Sequence, residues 1–152
     1  MRKKMEKIIV LDSIRSMQNV WAIFRNADGA GFNKVIMTGH TPQPPRKDIS
    51  KTAIWAENFI NWEYHKNIWK YLQDLKNDWF KIYSVELDEK SVEYTELFKQ
   101  QEEKVALVMG NEITWVSREV LELSDKIVII PMRGKKESLN VSVAAGIVMY
   151  AV

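Results

Sequence analysis

The 152-residue chain contains no cysteine, which excludes a disulfide framework, a zinc ribbon and thiol chemistry. That absence agrees with a reducing compartment, and a cytoplasmic location is expected. The longest apolar stretch, near residues 143–152, is too short and too broken by Gly146 to cross a bilayer. Met1 to Lys7 is basic but lacks the apolar run of a signal peptide, so no membrane association is expected. Charge of one sign is also lacking: 22 basic against 20 acidic residues leave a net +2, too even a balance to identify a nucleic-acid binder by itself. Glycine is scarce, with 6 residues where ordinary usage of about 7% would give roughly 11. Tryptophan, usually rare, occurs as often, 6 times.

What is present fits one globular domain over residues 1–152, 46% apolar and 28% charged, with no appended RNA-binding domain expected. Strand-like and helical segments alternate. Lys7 to Leu11, Lys34 to Thr38, Phe59 to Tyr64, Phe80 to Leu87, Val105 to Met109 and Lys126 to Ile130 read as strands. Asn19 is a candidate cap for a helix carrying Ala22, Ile23, Ala27 and Ala30, which Gly31 ends. Further helices are expected over Ile49 to Glu57, Asn67 to Asn77, Ser117 to Leu123 and Ser138 to Val152, with Ser117 as a cap. Ser91 to Gln101 gives no clear pattern, and Gly39 to Asp48, with three of the four prolines, reads as an irregular loop. Such alternation predicts an α/β fold, a mostly parallel sheet flanked by helices. Ligands of such sheets lie beyond the carboxyl ends of strands, so the loops after Leu11, Met109 and Ile130 are expected to converge on one site.

Several chemistries find no support. No loop carries GxGxxG or a P-loop pattern, and there is no nucleophile elbow. His40 and His65 stand alone, without carboxylates at metal-ligand spacing, and read as surface or packing residues; no metal site is expected.

Three stretches carry more information. They are Asn19-Val20-Trp21-Ala22-Ile23-Phe24-Arg25, then Met109-Gly110-Asn111-Glu112, then Ile129-Ile130-Pro131-Met132 leading to Ser138-Leu139-Asn140-Val141-Ser142-Val143-Ala144. In order, spacing and identity they resemble the three motifs of the SpoU (TrmH) family of SPOUT-class RNA ribose 2′-O-methyltransferases, and the resemblance covers nearly the whole chain. It implies an α/β domain whose C-terminal helix passes through a loop as a deep trefoil knot, a topology that general rules would reject. It also implies a homodimer, S-adenosylmethionine as methyl donor without a metal, and tRNA or rRNA as the partner. Carried over by position, Gly110, Ile130 and Leu139 belong to the adenosylmethionine pocket, with Met109, Asn111 and Met132 near it. Asn19, Arg25, Glu112, Ser138 and Asn140 match the family's polar active-site positions.

These residue types suit the chemistry so implied. A ribose hydroxyl is a poor nucleophile, so the site must align it with the methyl group and stabilise charge on its oxygen. A guanidinium is hard to deprotonate, which favours Arg25 as alkoxide stabiliser or phosphate clamp over proton acceptor. Asn19 would orient Arg25, Glu112 would hold the motif loops, and Ser138 and Asn140 would open the last helix. Plainer readings stand beside these: Asn19 and Ser138 as caps only, Arg25 as a solvated charge, Glu112 as a loop carboxylate. Arg133, Lys135 and Lys136 are either RNA-phosphate contacts or solvated loop charges.

Tryptophan stands where the family pattern has glycine at four places: Trp21, Trp55, Trp79 and Trp115; Trp62 and Trp69 fit their surroundings. Glycine serves such turns by permitting positive φ and close backbone approach. Two readings are open. Either UGA codons that the source reads as glycine are rendered here as tryptophan, or the indoles are genuine and stack on RNA bases. With genuine indoles, Trp21 and Trp115 are expected to crowd the cofactor pocket, and a catalytically impaired, knotted RNA-binding module becomes the alternative function.

Overall fold

The computed structural model describes residues 4–44 and 60–152. Seven strands form one sheet in the order β3-β2-β1-β6-β4-β7-β5: β1 (Glu6–Asp12), β2 (Lys34–Thr38), β3 (Asn61–His65), β4 (Lys81–Val85), β5 (Val92–Glu93), β6 (Lys104–Gly110) and β7 (Lys126–Ile129). Every pairing is parallel. Among the described residues four α-helices cover the sheet: α1 (Met17–Gly29), α2 (Ile68–Asn77), α3 (Arg118–Leu123) and α4 (Val141–Met149).

The central strands are continuous apolar runs because both faces of the sheet are covered. Alternate residues of β1 and β6 divide between two cores. Ile9, Leu11, Val105, Leu107 and Met109 pack with Ile23, Phe24 and Ala27 of α1 and Ala145 and Val148 of α4. Ile8, Val10, Ala106 and Val108 pack with Leu72 and Leu75 of α2 and Val120 of α3. Tyr83 of β4 is buried in the first core, and burial pushes its hydroxyl pKa up to about 12.

The α/β class and parallel sheet agree with the sequence reading; several local expectations do not. Ser16, not Asn19, caps α1, its side chain accepting from the Asn19 amide at 3.3 Å. Of the two residues expected to open the last helix, Asn140 caps α4, which starts at Val141, and Ser138 lies ahead of it. In both places a second cap-forming residue lies within three positions of the first, and local sequence does not choose between them. Residues 91–101 resolve into β5 and a 3₁₀ helix, Tyr94–Lys99. The expected helix over Ile49 to Glu57, together with Trp55, Pro45 and Arg46, lies outside the described residues.

Helix α1 does end as expected. Phe32 N–H donates to Ala27 O at 2.9 Å and Gly31 N–H to Asp28 O at 3.2 Å. Gly31 takes φ +73, the left-handed residue of a Schellman closure.

Candidate functional site

A cleft of about 270 Å³ opens at the carboxyl end of the sheet, where parallel α/β sheets place their ligands. Its walls come from the ends of β4, β6 and β7 and the start of α4. Met109, Gly110, Asn111, Ile130, Met132 and Leu139 all line it, so the six residues expected near the cofactor share one cavity. Glu112 and Ser138 line it as well.

The loop after β6 shapes one wall, and Asn111 builds that loop. Its side-chain oxygen accepts from the amides of Ile113 (2.8 Å) and Thr114 (2.6 Å), while its amide donates to the Thr114 hydroxyl at 2.7 Å. The Asn111 side chain is therefore spent on its own turn. Gly110 stands where any Cβ would fall onto the backbone of Trp115 and Val116, so only glycine lets the returning loop approach this closely.

Two carboxylates fix the far end of the loop. Glu86, just past β4, accepts from the Leu87 amide at 2.8 Å and the Val116 amide at 3.1 Å. Asp12, at the end of β1, is raised in pKa by burial, an effect partly opposed by a hydrogen bond from the Ser117 backbone. Sequence reasoning passed over Glu86 because it read the strand on to Leu87, whereas β4 ends at Val85 and leaves Glu86 at the same end as the other site loops.

The three motif stretches meet at the rim. Asn19 Nδ2 donates to Glu112 Oε1 at 2.7 Å, and Asn140 Nδ2 donates to Asn19 Oδ1 at 3.2 Å. Asn140 Oδ1 in turn accepts from the Ser142 and Val143 amides, at 2.9 and 3.4 Å, which ties the chain of bonds to the first turn of α4. Asn19 and Asn140 themselves lie outside the cavity lining. Arg25 is not brought to the cavity; it is exposed and has no hydrogen bond or ion pair among the described residues. The loop after Leu11 does not line the cleft, and the loop after β4 takes its place.

The charge of the lining is one-sided. Among the described residues of the lining Glu86, Glu112 and Glu137 are present, and no lysine or arginine is. A wall of this composition favours a ligand carrying positive charge next to an apolar body. Trp115 lines the cavity, but Trp21 does not: it is 1% exposed, packed in the core beside Phe24 with ring centroids 5.3 Å apart. The expectation that Trp21 crowds the pocket is thus corrected, because its face of α1 turns toward the sheet. Among the described residues, no group of His, Asp and Glu converges as a metal site, and no helix is long and apolar enough to cross a membrane.

Residues 6–150 match the SpoU rRNA Methylase family. The chain is 28% identical over 149 residues to a tRNA (guanosine(18)-2′-O)-methyltransferase of Escherichia coli, covering 98% of this chain and 63% of that protein. It is 31% identical to a 23S rRNA (guanosine(2553)-2′-O)-methyltransferase of Bacillus subtilis, covering 95% of this chain and 56% of that one. An AdoMet-bound rRNA methyltransferase from Sinorhizobium meliloti superposes with a TM-score of 0.88 at 25% identity, over 96% of this chain and 55% of the other. This chain therefore spans less than two thirds of the length of these relatives.

Proposed function

The chain belongs to the SpoU rRNA Methylase family, and from that premise we propose that it transfers a methyl group from S-adenosylmethionine to a ribose 2′-hydroxyl of structured RNA, tRNA or rRNA. The observation that carries this reading is the cleft itself, apolar walls with three glutamates and no cation among the described lining residues, joined at its rim to all three motif stretches. The residues present fit the donor. Met109, Ile130, Met132 and Leu139 give apolar surface for its adenosine and methionine parts, and the glutamates complement its positive charge. When bound, S-adenosylmethionine supplies a methyl group already activated on a sulfonium.

The chain's own residues then have separable tasks. Gly110 and Asn111 hold the cleft wall close, and Glu86 and Asp12 fix the loop behind it. Glu112, Asn19 and Asn140 form a rigid polar rim at the place where a ribose must enter; Ser138 adds a hydroxyl to the lining. Arg25, exposed and without a partner among the described residues, is free to meet RNA phosphate or the charge developing on the acceptor oxygen. The basic loop of Arg133, Lys135 and Lys136, exposed beside the cleft segment, docks phosphate.

Three further parts of the reading belong here. The segment after β7 and helix α4 form the trefoil knot of the family. The working unit is a homodimer, in which a second copy covers the exposed Val143 (51%) and Tyr150 (63%) at the ends of α4. The reaction takes place in the cytoplasm.

The test pairs binding with product. S-adenosylmethionine is titrated calorimetrically, and labelled methyl transfer to RNA is read as linkages that resist alkaline hydrolysis, since alkali needs a free 2′-hydroxyl. Saturable binding with alkali-resistant label is expected. A folded protein that binds no S-adenosylmethionine, with either tryptophan or glycine at position 115, would overturn the reading.

A further inference from the structure

Helices α1 and α2 end in the same way with different residues. In α2, Phe80 N–H donates to Leu75 O at 3.0 Å and Trp79 N–H to Lys76 O at 3.1 Å, the bond pattern that Phe32 and Gly31 make at the end of α1. Phe80 and Leu75 share one core, as Phe32 and Ala27 share the other, which completes a Schellman closure at each end. Position 79 is thus the counterpart of Gly31, and its backbone is left-handed too: φ is 68 at Trp79 and +73 at Gly31. That conformation crowds any Cβ against the following carbonyl. The indole recovers nothing by packing, since Trp79 is 85% exposed.

Position 115 repeats the case. Trp115 has φ 57 and is 63% exposed, with its amide donating to Asn111 O at 3.0 Å. Ser13, the other non-glycine at positive φ among the described residues, is a small polar residue whose hydroxyl accepts from the His40 amide at 3.3 Å; an indole has no such local use. Trp21 shows a different misfit: its indole N–H is buried without a partner, which native interiors rarely leave. Trp62 and Trp69 sit at negative φ in β3 and α2. Among the described residues Trp21, Trp79 and Trp115 are thus set apart from Trp62 and Trp69.

We infer that positions 79 and 115 are glycine in the working protein, and that they and position 21 are encoded by a codon that the source reads as glycine and this sequence renders as tryptophan. Trp55 lies outside the described residues, and its codon is an independent check. One consequence reaches the cleft: glycine at 115 removes an indole from its wall. The inference does not rest on the proposed activity, because Trp79 precedes β4, at the opposite end of the sheet from the cleft.

Two measurements test it. In the gene, UGA is expected at positions 21, 55, 79 and 115 and UGG at 62 and 69; UGG at all six would overturn the inference. In the protein, Trp79→Gly is compared with Trp79→Ala, and Trp69→Gly with Trp69→Ala. Glycine is expected to melt about 2–8 °C above alanine at position 79, and below it, by up to about 2–4 °C, at position 69 in the first turn of α2. Alanine equal to or better than glycine at 79 would show that no glycine conformation is required there, and the inference would fall. The paired alanine variants remove the indole in each case, so the difference reads the backbone alone.

Discussion

Asn140 performs two tasks that substitution can separate. Its side-chain oxygen caps α4 through the Ser142 and Val143 amides, and its side-chain nitrogen anchors Asn19 at 3.2 Å. Asn140→Ala removes both. Loss of an N-cap costs about 1 kcal/mol, within a range of about 0.5–2, and the exposed amide–amide bond adds about 0.5 kcal/mol. The sum, about 1–2 kcal/mol, corresponds to a fall in Tm of about 2–8 °C for a chain of this size. Asn140→Asp keeps the acceptor and places negative charge at the helix N-terminus, where it is favourable by about 0.3–1 kcal/mol. A carboxylate cannot donate to Asn19, however, so the link onward to Glu112 is lost. The aspartate variant should therefore melt within about 2 °C of the parent. The proposed methyl transfer should fall about two- to tenfold, the equivalent of one hydrogen bond of about 0.5–1.4 kcal/mol. Adenosylmethionine affinity should hold within about twofold, because Asn140 is not part of the cleft wall. Scanning calorimetry, titration of the donor and initial rates on RNA give the three readouts. Full turnover by Asn140→Asp would refute a working role for the bridge, and an unchanged Tm in Asn140→Ala would refute the capping arithmetic.

Other expectations are more direct. Glu86→Ala leaves the Leu87 and Val116 amides without their acceptor; donor affinity should weaken, with a smaller change in kcat, and Glu86→Gln should restore part of it in the same titration. Gly110→Ala drives a methyl group onto the backbone of Trp115 and Val116; overpacking of about 1–3 kcal/mol predicts a Tm lower by about 2–12 °C. Glu63 is held below its ordinary 4.5 by hydrogen bonds from His65 and Lys34. A depressed carboxylate stabilises the fold above that ordinary value and loses its contribution as pH falls through the folded one. Urea midpoints of parent and Glu63→Gln should therefore converge as pH drops below 4.5, and a gap that persists in acid would contradict the assignment. Replacing Arg133, Lys135 and Lys136 with alanine should flatten the dependence of RNA affinity on salt by about 0.7–0.9 in log–log slope for each phosphate no longer neutralised, leaving donor binding unchanged.

How much of this was legible in the sequence varies residue by residue. Val105 to Met109 could be read as a buried strand because helices cover both faces of the sheet there and leave no polar position to confuse the pattern. The cap of α1 could not be read, since Ser16 and Asn19 are both competent. What decides between them is Glu112, 93 residues away, which takes the Asn19 amide. Glu86 was missed for a related reason: its partners are main-chain amides of its neighbour and of a distant loop, and main-chain partners leave no mark in side-chain patterns. Trp21 was misplaced because a motif position shows proximity in sequence to the site but not which side of the helix it faces. The glycine positions were legible only in part. Family pattern marked them, and the left-handed backbone at 79 and 115 supplied the physical reason.

The near-neutral net charge, uninformative as a sum, resolves once the residues are placed. Acidic groups collect inside the cleft, as Glu86, Glu112 and Glu137, while Arg25, Arg133, Lys135 and Lys136 stand outside it in solvent. The proposed methyl transfer to RNA would use this separation, because its two substrates carry opposite charge. In that reading a cationic donor is drawn into the glutamate-lined cavity, and a polyanionic acceptor to the basic groups outside it. At the rim the amides of Asn19 and Asn140 run on to the Glu112 carboxylate through two hydrogen bonds. Summed over 22 basic and 20 acidic residues these local differences vanish into a net +2, so composition alone does not report where either sign is placed.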